Sequence, residues 1–115
     1  MPAIDPSVLS TPAHLRAALT GVRALVLDAD GVLIYAGVAL PGAVDALSLL
    51  EGASIPYRVV TNYSSAHRRS LAARVSQTFG RPVDPAHLIT AASAAAAHTG
   101  RHYAGQPLFV LASGD

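Results

Sequence analysis

The sequence predicts an α/β fold of the doubly wound layer type, built on a parallel sheet. Three observations carry that expectation. Candidate helices and strands alternate in the order α, β, α, β, α, α, β with short connections, the pattern from which helices pack onto a parallel sheet. The first strand candidate, Ala24-Leu25-Val26-Leu27, is apolar without a break, as in strands covered on both faces. Two strands then end in polar clusters, Asp28-Ala29-Asp30-Gly31 and Thr61-Asn62. In open α/β sheets that carboxyl edge is where ligands collect.

Each element has a local reason. Thr11-Pro12 opens a short helix to Leu19, since threonine can cap free amides and proline suits the first helical position. Thr20-Gly21 ends it, and the first strand follows. Residues 32–40 read as irregular. Pro41-Gly42 opens a helix through Glu51, with Ala43, Ala46, Leu47 and Leu50 on one face, and Gly52 closes it. Tyr57-Arg58-Val59-Val60-Thr61 is the second strand. Asn62 to Ser65 leads into a helix from Ala66 to about Phe79, where Leu71, Val75 and Phe79 read as core; Gly80 and Pro82 end it. Thr90 caps an alanine-rich helix to about His98, and Leu108-Phe109-Val110-Leu111 reads as the third strand.

Composition narrows the class. A length of 115 residues fits one domain. Net charge is +1, the eight cationic side chains are all arginine, and apart from Arg68-Arg69 they are scattered, so no basic face for nucleic acid is expected. Without cysteine there is no disulfide framework and no thiolate metal site. Met1 to Pro6 lacks the charged and apolar regions of a signal peptide, and the longest uncharged stretches are too short or too broken to span a bilayer. The expectation is a cytoplasmic chain with neither a nucleic-acid nor a membrane partner.

The chemistry lies in the first cluster. Asp28 and Asp30, two residues apart after a buried strand, repel one another unless a cation or proton intervenes. Their hard oxygens suit Mg2+, which keeps several waters. Aspartate after a strand also serves as an ordinary turn or cap residue, and Thr61 as a turn cap. His98 and His102 have metal-capable spacing but lack a third ligand, and Arg68 and Arg69 fit a solvated helix face.

Three segments together, Ala24-Leu25-Val26-Leu27-Asp28-Ala29-Asp30-Gly31-Val32-Leu33, Pro41-Gly42-Ala43 with Leu47, and Tyr57 to Asn62 with Ser64-Ser65, resemble the haloacid dehalogenase superfamily. More narrowly, they resemble its subfamily IIA of sugar-phosphate, nucleotide-phosphate and nitrophenylphosphatase-like hydrolases, which carry a large α/β cap. The resemblance runs from about Arg23 to the end and includes Val83 to Thr90. It implies a Rossmann-like core, a three-layer α/β/α arrangement, and phosphate-ester hydrolysis of a small phosphorylated metabolite. It further implies Asp28 as nucleophile, Asp30 as general acid and base, and Mg2+ on the Asp28 carboxylate and the Asp30 main-chain carbonyl. The Thr61 hydroxyl and the Asn62 amide would bind the phosphoryl oxygens. Tyr63 departs from the asparagine often found at its position.

The resemblance also leaves two motifs without a counterpart. The family's third motif is a lysine, occasionally an arginine, and the sequence has no lysine. Its fourth is acidic, whereas Asp84 lies in a loop between helices and Gly114-Asp115 follows the expected third strand. Residues 1–115 therefore correspond to the amino-terminal half of one core domain, with the cap and the remaining core absent. Activity of such a chain alone would be incomplete. A phosphate- or Mg2+-binding or assembly role without turnover is the alternative. With no fourth strand beside it, Ala24 to Leu27 would be an exposed edge prone to self-association.

Overall fold

The computed structural model describes residues 11–111. The expectations placed on Met1 to Pro6 and on Gly114-Asp115 lie outside the described residues. Thr11 caps α1 (Pro12–Ala18), its side chain accepting from the His14 amide. β1 (Leu25–Asp28) follows, then a small hairpin of β2 (Ile34–Tyr35) and β3 (Val38–Ala39). The chain continues through α2 (Ala43–Gly52), β4 (Tyr57–Thr61) and α3 (Arg68–Phe79). A single 3-10 turn at Pro85–His87 leads to β5 (Leu88–Thr90) and α4 (Ala91–His102).

The principal sheet is parallel, in the order β1-β4-β5. Each step moves in one direction, so right-handed crossovers place α2 and α3 on the same face. That face is the buried one. Tyr57, Val59 and Thr61 of β4 and Leu88 and Thr90 of β5 pack there with Leu47 and Leu50 of α2 and Ala72, Val75 and Phe79 of α3. Leu47 and Leu88 are each 2% exposed, and burial of either side chain contributes about 2 kcal/mol. The opposite face carries Val26, Arg58 and Ile89, with Val26 74% exposed. Among the described residues, the α/β layering thus consists of the sheet and one layer of helices. α1 packs beside α2, where Arg16 donates from Nε and Nη2 to the Ala53 carbonyl at 3.2 and 2.8 Å.

β1 lies at the edge of this sheet, paired with β4 alone among the described residues. The structure corrects three expectations. The third parallel strand is Leu88–Thr90, not Leu108 to Leu111. Three residues between a 3-10 turn and a helix cap give little sequence signal, yet Leu88 and Thr90 are both buried on the packed face. Leu108 to Leu111 forms no strand, and Phe109 and Leu111 are more than 90% exposed. An apolar run becomes a strand only where an edge is available to it, and none of the described strands pairs with this one. Residues 32–40, read as irregular, contain the β2–β3 hairpin, with Ile34 opposite Ala39 and Tyr35 opposite Val38. Its two turn residues, Ala36 and Gly37, both have positive φ (50° and 79°), as a type I′ turn requires.

The alanine-rich helix also runs past His98 to His102. It begins with a reciprocal cap, in which the Ser93 amide donates to Thr90 Oγ1 and the Thr90 amide to Ser93 Oγ. α4 has no buried residue.

Candidate active site

The site is built at the carboxyl ends of β1 and β4. Leu25 to Asp28 pair in register with Tyr57 to Val60, and the Ala29 amide continues the ladder by donating to the Val60 carbonyl at 3.2 Å. Asp28 therefore ends one strand directly beside the strand that ends in Thr61, about 4.8 Å away in the pairing direction.

Beyond Asp28 the backbone closes a tight loop. The Leu33 and Ile34 amides both donate to the Ala29 carbonyl, and the Gly31 amide donates to the Ile34 carbonyl at 2.7 Å. Gly31 has φ of 83°, which a side chain at that position would resist. This loop holds Asp30 over the end of β4. The Thr61 hydroxyl donates to Asp30 Oδ2 at 3.3 Å while accepting from the Tyr63 amide at 3.2 Å.

Asp30 and Thr61 are thus in contact, and Asp28 ends the strand alongside. Asn62 follows Thr61 directly and is exposed. Thr61 is 5% exposed, so its hydroxyl is fixed by packing and by the amide it accepts from. The contact with Asp30 is longer than the usual 2.5–3.0 Å for a hydroxyl donor. A phosphoryl oxygen placed nearby would compete for that proton on favourable terms.

The donor set fits a hard cation in part. The Asp28 carboxylate is exposed and has no hydrogen bond or ion pair among the described residues, and the Asp30 carbonyl is not used by the loop's backbone hydrogen bonds. Two such oxygens suit Mg2+, with water and substrate completing its shell. Among the described residues no group of three acidic, histidine or cysteine side chains is clustered for a metal. The His98 and His102 rings stack at 4.5 Å on an exposed helix, as surface histidines would. Asp84 caps the 3-10 turn by accepting from the Ala86 amide, and Arg68 and Arg69 lie exposed at the start of α3.

Sequence reasoning missed Arg74. Its Nη1 donates to the Tyr63 hydroxyl at 2.6 Å, and its guanidinium lies 5.4 Å from the Tyr63 ring centroid. This joins α3 to the loop after Thr61. The two residues are eleven apart across a helix start, a separation that no short motif encodes.

Comparisons with known proteins agree with this fold. A family model for haloacid dehalogenase-like hydrolases matches residues 25–115. NagD from E. coli K-12 is 33% identical with a TM-score of 0.64, covering 70% of this chain and 32% of that one. A p-nitrophenyl phosphatase from Archaeoglobus fulgidus is 26% identical with a TM-score of 0.64, covering 71% of this chain and 31% of that one. A 4-nitrophenylphosphatase from Thermotoga maritima shares the fold at a TM-score of 0.71 and 22% identity, covering 80% of this chain and 35% of that one. The chain thus spans about a third of the length of each. No curated protein matches significantly. No helix among the described residues is long and apolar enough to cross a membrane. The family match begins at the first residue of β1 and takes in both strand ends that form the site: the chain belongs to the haloacid dehalogenase-like hydrolases.

Proposed function

We propose that this chain carries the nucleophile portion of a phosphate-ester hydrolase site, acting in the cytoplasm on a small sugar- or nucleotide-phosphate. Asp28 attacks phosphorus and becomes an aspartyl-phosphate, expelling the alkoxide. Asp30 gives that oxygen a proton and then takes one from the water that cleaves the acyl phosphate. The Thr61 hydroxyl, already accepting from the Tyr63 amide, turns its proton from Asp30 to a phosphoryl oxygen, and the Asn62 amide donates beside it. The Asp28 carboxylate and the Asp30 carbonyl would hold Mg2+, which offsets the charge of phosphate and nucleophile.

One observation carries this reading: Asp30 and Thr61 meet at adjacent strand ends, 3.3 Å apart, beside an Asp28 carboxylate left without a partner among the described residues. The name of the Archaeoglobus protein, a p-nitrophenyl phosphatase, supports phosphate-ester hydrolysis. A second reading, binding or assembly without turnover, is favoured by the open edge that β1 presents among the described residues. In that reading two chains pair through β1, an association that sedimentation would detect and that a monodisperse monomer would overturn.

The deciding experiment compares the chain with Asp28→Asn in hydrolysis of a generic aryl phosphate with Mg2+, alongside amide shifts on Mg2+ titration. Hydrolysis abolished by the substitution is the expected result, and hydrolysis unchanged by it rejects Asp28 as nucleophile. Mg2+ shifts at Asp28 to Gly31 without turnover, together with self-association in sedimentation, favour the second reading. Neither shifts nor turnover would reject the hydrolase reading, and a monodisperse monomer with it would reject the second as well.

A further inference from the structure

We propose that the cavity between the sheet and α3 is a binding site for a small aromatic carboxylate, seated with its ring among core side chains and its carboxylate on Arg74. The cavity measures about 180 Å3. Its walls are chiefly apolar, from Leu33 and Ile34 of the hairpin side, Leu71, Val75 and Phe79 of α3, and Val59 of β4. An apolar cavity of roughly 150 Å3 is enough to take a benzene ring. Well-packed interiors seldom leave that much volume unfilled.

The rim supplies the polar half of the ligand. Arg74 lines the cavity, is exposed, and donates to the Tyr63 hydroxyl. The ion pair that the described residues form is Arg81 with Glu51, on other elements. Among the described residues no carboxylate lies within ion-pair distance of the Arg74 guanidinium. A guanidinium fork matches a planar carboxylate in two hydrogen bonds. Asp30 also lines the cavity, and its charge orients the ligand so that the carboxylate stays at Arg74 and the uncharged ring enters. Thr61 and Tyr63 share the same lining, so occupancy is felt where the Thr61 hydroxyl is held. The site does not depend on the catalytic roles proposed for Asp28 and Asp30.

The test is amide-shift titration of the 115-residue chain with benzoate, with benzamide as the uncharged match and acetate as the ringless one. Benzoate should give saturable shifts at Thr61, Tyr63, Leu71 and Val75, with a dissociation constant on the order of 1 mM for so small a ligand. Acetate should give none there. Arg74→Gln should weaken benzoate about tenfold or more and leave benzamide within about twofold, and Val75→Trp should abolish both by filling the cavity. Should Val75→Trp fail to fold, the exposed Arg74→Gln and the two control ligands still decide. Absence of saturable benzoate shifts rejects the site. Equal benzoate affinity in Arg74→Gln rejects the assigned chemistry, and so does acetate binding as well as benzoate.

Discussion

Two carboxylates at opposite ends of one sheet are treated in opposite ways. At the start of β4, Glu51 accepts from the Tyr57 hydroxyl at 2.8 Å and pairs with Arg81, which also donates to Ser48 Oγ at 2.9 Å. The Tyr57 ring lies 4.7 Å from that of His87. These contacts join α2, β4 and the segment leaving α3. At the end of β1, Asp28 has no partner among the described residues, and the loop around it is held by backbone hydrogen bonds instead. Glu51 is thus held in a network of protein partners, whereas the exposed Asp28 carboxylate faces solvent and is open to a ligand of the kind the proposed function requires. The difference separates an acid fixed by the fold from one that the fold leaves to solvent.

The largest effect that would test this contrast is Tyr57→Ala. The ring is 5% exposed, and its loss leaves a cavity and removes the hydroxyl that donates to Glu51, which keeps Arg81 as its partner. Aromatic-to-alanine changes in cores cost about 3–5 kcal/mol, which at this size lowers Tm by roughly 10 °C or more. A thermal melt checks it. A change below about 1 kcal/mol would mean that this end of the sheet is not the structural one.

Neither end was equally legible beforehand. Asp28, Asp30, Thr61 and Asn62 could be found because strand and motif lie together in the sequence, and Thr11, Gly80 and Thr90 because caps act over three or four residues. The Glu51–Arg81 contact joins residues thirty apart, so only packing brings them together. Ala36 hid the hairpin because its left-handed φ is usually given to asparagine, aspartate or glycine. Leu88–Thr90 and Leu108 to Leu111 show how partner availability overrides propensity. The shorter and less apolar run became the strand because β4 offered it an edge.

A milder test is Glu51→Gln read against pH. Burial alone would raise the Glu51 carboxyl, but the hydrogen bonds from Arg81 and Tyr57 and the Arg81 charge outweigh it and hold the group below its ordinary value of 4.5. Stability from this pair is therefore fully present above about pH 4.5 and is lost as pH falls through the lower folded value. Tyr57 behaves in the opposite sense. Burial, then the Glu51 hydrogen bond, push it from 10 to about 12, so its contribution holds below pH 10 and is lost as pH rises through 12. The Glu51 side chain is 39% exposed, so solvent screening limits the cost of Glu51→Gln to about 1 kcal/mol or less. Denaturant midpoints at pH 3, 7 and 11 should show a smaller acid-side and alkaline-side decline in the variant than in the parent. Parallel curves would break the assignment.

The smallest expected change in stability is the most informative. Asp28→Asn removes a charge that no described residue pairs with, one residue from the second carboxylate's loop. Exposed substitutions of this kind stay within about 0.5 kcal/mol, and relief of repulsion from Asp30 moves the sign toward stabilisation. The same substitution removes an anionic ligand that Mg2+ would need, so its Mg2+-dependent shifts at Asp28 to Gly31 should disappear while its Tm holds or rises. That divergence is the signature of a residue kept for chemistry at a cost to the fold. A loss of Tm comparable to that of Tyr57→Ala would instead place Asp28 among the structural acids and remove the contrast between the two ends.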